Sequence, residues 1–336
     1  MKKTFLLFML AVTMMAGKAF AQLTSVAVLQ HEDNSTIYYG RQSLSQAYND
    51  ALEGDVIVLS SGIYKACNLN KHNIIIRGTG MYETTIDGNF QINGQNNTIE
   101  DLLHNGTIQY VGTVNSFNIV RCRLHTIEGT GSDAHLVNAK IIFSKVANAL
   151  LLGEDSSIQC MNSVIVFPFN DTSDTSSFLM TNCVIILRTT DAAGLGYTPA
   201  GVGSSLLTNC FIFVRNQKSY YYFKTGGSFP ASTKLTYCYS NDADVFANNS
   251  WEGNGVLSTT EVFEDFDGTY NDNMTFRLTA DAAVSYLGTD NTQIGIYGGL
   301  TPFDTTPSSP RITKFEVAPK AVDGEVKVNV EVNGGE

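Results

Sequence analysis

Between residues 118 and 240 the chain alternates short apolar runs with single turn residues. Leu179–Arg188 and Leu206–Arg215 share one plan: an apolar strand, an Asn, a small residue, then a second apolar strand. Gln159–Phe167, Leu136–Phe143 and Asn118–Leu124 repeat it upstream, and Leu235–Cys238 continues it less fully. The turn residues Arg121, Asn138, Asn162, Asn182, Asn209 and Tyr237 fall 17, 24, 20, 27 and 28 apart. Such spacing suits coils with loops of differing length, because each repeat buries its apolar face only against its neighbours. Asn tolerates the left-handed backbone of a tight bend, and stacked Asn side chains can hydrogen-bond one another. Ala139, Ser163, Cys183 and Cys210 follow the Asn and are expected to point inward. The pattern predicts an all-β chain, a right-handed parallel β-helix.

The flanks extend the prediction. Leu44, Ala47, Tyr48, Ala51 and Leu52 fall on one face of a helix over 43–52, with Ser43 and Gln46 at capping-box spacing and Gly54 as its stop. An amphipathic helix there would close the open end of the solenoid. Strands follow at Val56–Leu59 and Ile74–Ile76. Beyond the solenoid, expected over 54–300, residues 301–310 read as a linker. Ile312–Val317 and Val326–Val332 then read as a C-terminal β-hairpin, too small to be a domain alone. On the strands after the Asn bends, Ile165, Ile185 and Ile212 are expected to face in. Val164, Val166, Val184, Ile186, Phe211 and Phe213 would then form an apolar outer stripe that the hairpin, a long loop or a partner must cover.

Leu44-x-x-Ala47 followed by Gly54-Asp55-x-Ile57-x-Leu59-x-x-Gly62-x-Tyr64 resembles the opening segment of the pectate-lyase-like right-handed β-helix superfamily. Ile75-x-Arg77-Gly78 and Thr85–Gly88 fit its first full coil. Phe276–Leu278 through Ile294–Gly299 is similar to the closing segment of secreted β-helix proteins of the Bacteroidetes type. The resemblance spans about residues 22–300. It implies a fold more than an activity, because the superfamily hosts lyases, hydrolases, esterases and adhesins.

Composition changes the picture in two ways. Lys2, Lys3, the apolar run to Ala16 and Ala19-Phe20-Ala21 read as a signal peptide cut before Gln22. Export to the periplasm, cell surface or medium is therefore expected. Without that leader the chain carries 18 basic and 32 acidic residues, a net charge of −14. Such charge disfavours nucleic acid and anionic membranes as partners, and no later run is long enough for membrane insertion. Six cysteines in an exported chain suggest disulfides. However, Cys122, Cys183, Cys210 and Cys238 share a column with Ala139 and Ser163, which predicts a small-residue core with at most one bridge.

The motifs associated with polygalacturonase-like hydrolases and pectate lyases find no match in the sequence. The best carboxylates are Glu154, Asp155, Asp171 and Asp174, which can act as general acid and base or hold calcium, although they also suit turns. Calcium enters only if the protein is a lyase; no other cofactor and no metal site is expected. Arg123 and His125 alternate onto one outward face, and Arg188 and Arg215 should stack between coils. The arginines suit an acidic sugar, and His125 suits a general base. Tyr220, Tyr221 and Tyr222, with Trp251 as a further aromatic, offer platforms for sugar rings. Together these residues point to a glycan-interacting β-helix. The rivals are a lyase or hydrolase of unusual sequence and a structural adhesin, with a protein partner reached through the hairpin.

Overall fold

A computed structural model describes residues 25–168, 176–189, 205–216, 229, 231–249, 253–257, 262–266, 273–308, 311–317 and 328–333. The body is a right-handed parallel β-helix. One face is an eleven-stranded sheet in which Val56–Leu59, Ile75–Arg77, Thr98–Glu100, Asn118–Val120, Ala139–Ile142, Ser157–Met161, Ser177–Thr181, Leu206–Thr208 and Lys234–Thr236 stack in parallel. A second face, twelve-stranded, runs from Gly62–Lys65 to Gly255–Val256. Val26–His31 and Asn34–Tyr39 add an antiparallel ribbon to the N-terminal edge of the first face.

The expected helix forms over Ser43–Asp50 and buries Leu44, Ala47 and Tyr48 against the first coil. Its capping box does not form: Gln42 is the N-cap, without a side-chain bond, and the buried Ser43 hydroxyl has no partner. The C-terminal end is held by Lys71, whose Nζ donates to the carbonyls of Asn49 and Ala51, each at 2.6 Å. A cation there also opposes the partial negative charge of the helix end. Tyr64 explains part of the opening motif, since its buried hydroxyl bonds Val26 and Ser60 and pins the ribbon. Gly62, at φ +144°, lies where a Cβ would come within 2.9 Å of Ser25 Oγ.

Strand alternation sorts the side chains as expected. Ile165, Ile185 and Ile212 belong to the interior. The outward Val164, Val166, Val184, Ile186 and Phe211 form a second core with Leu257, Val262, Phe263, Met274, Phe276, Leu278, Ile294 and Ile296. The apolar stripe is thus covered by a strap, described at Leu257 and over 262–266 and 273–308, that runs back along the outside of the coils. Phe276–Gly299, whose sequence is similar to a closing segment of the solenoid, is part of this strap. Residues 301–308, read as linker, are also seated: Ser308 N and Oγ bond Asp101 Oδ2 at 3.0 and 2.7 Å.

The bend column differs from the sequence reading. Left-handed φ values occur at Asp101, Arg121, Phe143, Asn162, Asn182, Asn209 and Tyr237. Asn138 belongs to a different corner, with Asn73, Asn96 and Ser116. Ser144, not Ala139, therefore completes the inner column of Cys122, Ser163, Cys183, Cys210 and Cys238. Each of these side chains donates to the carbonyl two residues earlier, from Ser163 to Met161 at 2.7 Å to Cys238 to Thr236 at 3.5 Å. Several also accept an N–H from the preceding coil: Cys122 N to Ser144 Oγ, Ser144 N to Ser163 Oγ, Cys183 N to Cys210 Sγ. A small donor–acceptor group is what this corner requires, and all six cysteines are free thiols.

Nor do the bend asparagines bond one another. Asn162 Nδ2 donates to the carbonyls of Ile296 and Gly298, each at 2.8 Å. Asn209 exchanges bonds with Thr289 N and Oγ1. Gly299 (φ +80°) passes so close to Asn182 that a Cβ would meet its Nδ2 at 2.3 Å. Asn162 and Asn209 rivet the strap to the solenoid, and Asn182 packs against it. Near the other end of the strap, Lys145 Nζ donates to the Met274 carbonyl at 2.7 Å and lies over the Phe276 ring.

Arg311–Val317 and Val328–Asn333 pair antiparallel as the expected hairpin. Among the described residues no helix is long and apolar enough to cross a membrane.

Candidate functional site

On the coils that precede the strap, the second face keeps Lys65, Gln91, Asn105 and His125 exposed among the described residues. Its strands bend where the pairing register shifts, between His104 and Thr107 in one coil and between Leu124 and Thr126 in the next. Polar side chains line both sides of the bend. Before it, Lys65, Asp87 and Asn105 are paired in register on successive strands. After it, Gln91, Gln109 and Glu128 are paired in register, each set between buried neighbours such as Phe90, Ile92, Ile108, Tyr110 and Ile127. Alternation therefore turns the amides and carboxylate outward while the apolar residues fill the core.

The ladder is internally bonded. Gln109 Nε2 donates to Glu128 Oε1 at 2.9 Å. Asn148 Nδ2 donates to Thr126 Oγ1 at 3.0 Å, and the same hydroxyl lies 3.0 Å from His125 Nδ1. Asp87 pairs with Arg41 at 3.1 Å. His125 is exposed and Arg123 half-buried, with Leu124 buried between them, so both face outward as expected. Arg123 Nη1 reaches Asn273 of the strap at 3.5 Å. Arg123 and His125 are legible in the sequence from strand alternation, whereas Asp87, Gln91, Asn105, Gln109 and Glu128 carry no local signal. Spacings of 18 and 19 between the last ladder members would have revealed them only with the coil register in hand.

The remaining candidates do not join this group. Glu154 and Asp155 are exposed in a turn, with Asp155 at φ +54°. The ring of His135 approaches this turn through Nδ1, which donates to the Glu154 backbone carbonyl at 2.5 Å rather than to a carboxylate. Turn chemistry therefore accounts for that pair. Arg188 and Arg215 are register partners on adjacent strands. Asp171, Asp174, Tyr220, Tyr221, Tyr222 and Trp251 lie outside the described residues.

A separate charged cluster is structural. Arg77 Nε meets Glu100 Oε1 at 2.5 Å, and Arg121 bridges Glu100 Oε2 at 3.3 Å and Asp101 Oδ1 at 2.6 Å. Asp101 is fully buried and also holds Ser308, so the cluster ties three coils to the end of the strap. Among the described residues no three His, Cys, Asp or Glu side chains come together as metal ligands.

The ladder can present donors and acceptors along the solenoid axis at the strand spacing of about 4.8 Å. Neither a scan against protein-family models nor searches of curated proteins and of solved structures found a match to this chain.

Proposed function

We propose that the protein is an exported β-helix that binds a linear, uncharged glycan along its open face. The observation that supports this is the set of register-aligned polar residues, Asp87 and Asn105 before the bend and Gln91, Gln109 and Glu128 after it, with His125 exposed at the bend. A solenoid repeats its surface along one axis, as a linear polymer repeats its hydroxyls. Planar amides and carboxylates offer the paired donors and acceptors that vicinal hydroxyls match. The acidic balance of the chain, −11 over all residues, favours a neutral polymer over a polyanion. Tyr220–Tyr222 remain the leading aromatic contacts. The resemblance to pectate-lyase-like proteins and to secreted proteins of the Bacteroidetes type is consistent with export and with a glycan ligand.

Affinity electrophoresis in gels containing neutral or acidic polysaccharides tests the proposal. Retardation by a neutral polymer is expected, weakened at least tenfold in Gln109→Ala/Glu128→Ala and in a triple alanine variant of Tyr220–Tyr222. A chain that no polymer retards overturns the reading. Retention that survives the Gln109 and Glu128 changes removes the ladder from it. The same samples are assayed for new reducing ends and unsaturated-uronate absorbance, with calcium and with chelator. Cleavage of a polymer would replace binding with lyase or hydrolase chemistry, and His125 would then be the first base to test.

A further inference from the structure

The first face ends, at the N-terminal side, on a strand that no other described strand pairs on its outer side. Asn34–Tyr39 is the edge of the eleven-stranded sheet. It has six residues, with no charge, no proline and no register shift against its neighbour. The opposite edge, Lys234–Thr236, has three residues and begins with an exposed lysine. Short edge strands and edge lysines are the usual safeguards against pairing with another chain. The N-terminal edge lacks both.

Hydrogen-bond parity shows which groups are open. Ser60 N donates to Val26 O at 2.9 Å, so even-numbered residues of Val26–His31 bond toward Val56–Leu59. Odd-numbered ones bond toward Asn34–Tyr39, through the pairs His31↔Asn34, Leu29↔Thr36 and Ala27↔Tyr38. Gly40 N donating to Ser25 O at 2.7 Å keeps the same parity. Ser35, Ile37 and Tyr39 therefore direct their N–H and C=O groups away from the sheet. Tyr39 is also 64% exposed, unusual for so large a ring.

We infer that this edge pairs antiparallel with the same strand of a second copy, joining two solenoids end to end about a two-fold axis. Antiparallel pairing requires outward residues to face outward residues, and the register that engages Ser35, Ile37 and Tyr39 all at once is centred on Ile37. Ile37 then lies opposite Ile37, and Ser35 opposite Tyr39. The same register carries Asp33 of each copy to the end of the strand where Arg41 of the other stands. Arg41 has a side chain 66% exposed and reaches Asp87 from the surface, so it is placed to meet a second carboxylate. The pairing is isologous, extends both first faces into one sheet, and places no like charges opposite each other within the strand.

Sedimentation velocity of the purified chain across the micromolar range tests the inference, with hydrogen exchange at low and high concentration. A species of twice the single-chain mass is expected. The amides of Ser35, Ile37 and Tyr39 should gain protection at least tenfold with concentration, while those of Thr36 and Tyr38 stay protected throughout. Ser35→Pro removes one outward N–H that no bond among the described residues uses, and Ile37→Lys sets two lysines opposite each other. Both variants should sediment as single chains with an unchanged melting temperature. A single-chain mass for the parent at every concentration overturns the inference, as does a dimer that persists in both variants. The exchange pattern of the parent decides the matter even if a variant fails to fold. None of this depends on the glycan reading.

Discussion

His104 sits inside the solenoid as a neutral imidazole, which makes the fold sensitive to acid. Its ring is fully buried and stacks on Phe90 with centroids 4.9 Å apart. Nε2–H donates to the Gly88 carbonyl at 2.8 Å, and Nδ1 has no partner. Burial pushes the pKa down from 6.5 to about 4, the Gly88 bond opposing it only in part. The unfolded chain takes up this proton near pH 6.5, whereas the folded chain resists until about pH 4. In that window the unfolded state holds more protons, so stability falls as the pH falls. At about 1.4 kcal/mol per pH unit, the full window removes about 3 kcal/mol. His104→Phe keeps the stacking and abolishes the titration, at the loss of the Gly88 bond, which costs about 1 kcal/mol at any pH. Urea unfolding followed by circular dichroism should therefore find the parent more stable near neutrality. The gap should close and then reverse as the pH approaches 4. Curves for parent and variant that stay parallel between about pH 6.5 and 4 would refute the assignment of a buried neutral ring.

Three further outcomes follow from the packing. Cys183→Ser should unfold in urea within about 1 kcal/mol of the parent, because Ser144 and Ser163 already fill the same column, whereas Cys183→Val should lose about 1–3 kcal/mol by overpacking; equal stability of the two would argue against a size limit at this corner. Phe211→Ala removes a fully buried ring that touches Phe213, Phe263 and Tyr286 beneath the strap, and calorimetry should find about 3–5 kcal/mol lost. Asn162→Ala leaves two buried strap carbonyls without their donor, a loss of about 2 kcal/mol or more; limited proteolysis should then cut within 257–308 before the coils, and unchanged cleavage there would contradict the riveting role.

How much of this was legible in the residues follows from the range of each interaction. Period-two alternation is local, so the sequence alone determined the strands, the inward Ile165, Ile185 and Ile212, and the need to cover their outward neighbours. The helical face over Ser43–Asp50 was equally local. The cover itself was not, because Asn162 bonds the Ile296 carbonyl across more than a hundred residues and the strap carries no periodic pattern of its own. The bend column was misread at one coil for a related reason. Phe143 adopts φ +51°, a conformation that bulky residues disfavour, so only the neighbouring coils impose it there and shift the small residue to Ser144. Asn162 and Asn209, which suggested a ladder, in fact bond the strap, since their amides meet Ile296, Gly298 and Thr289 only once the chain has folded back. The polar ladder was hidden likewise: Gln91, Gln109 and Glu128 are unremarkable in sequence and become one surface only when parallel pairing aligns their coils. The sequence determined which way each side chain turns; the tertiary structure decided which side chains meet, because coil register and the return of the strap are set by contacts far apart along the chain.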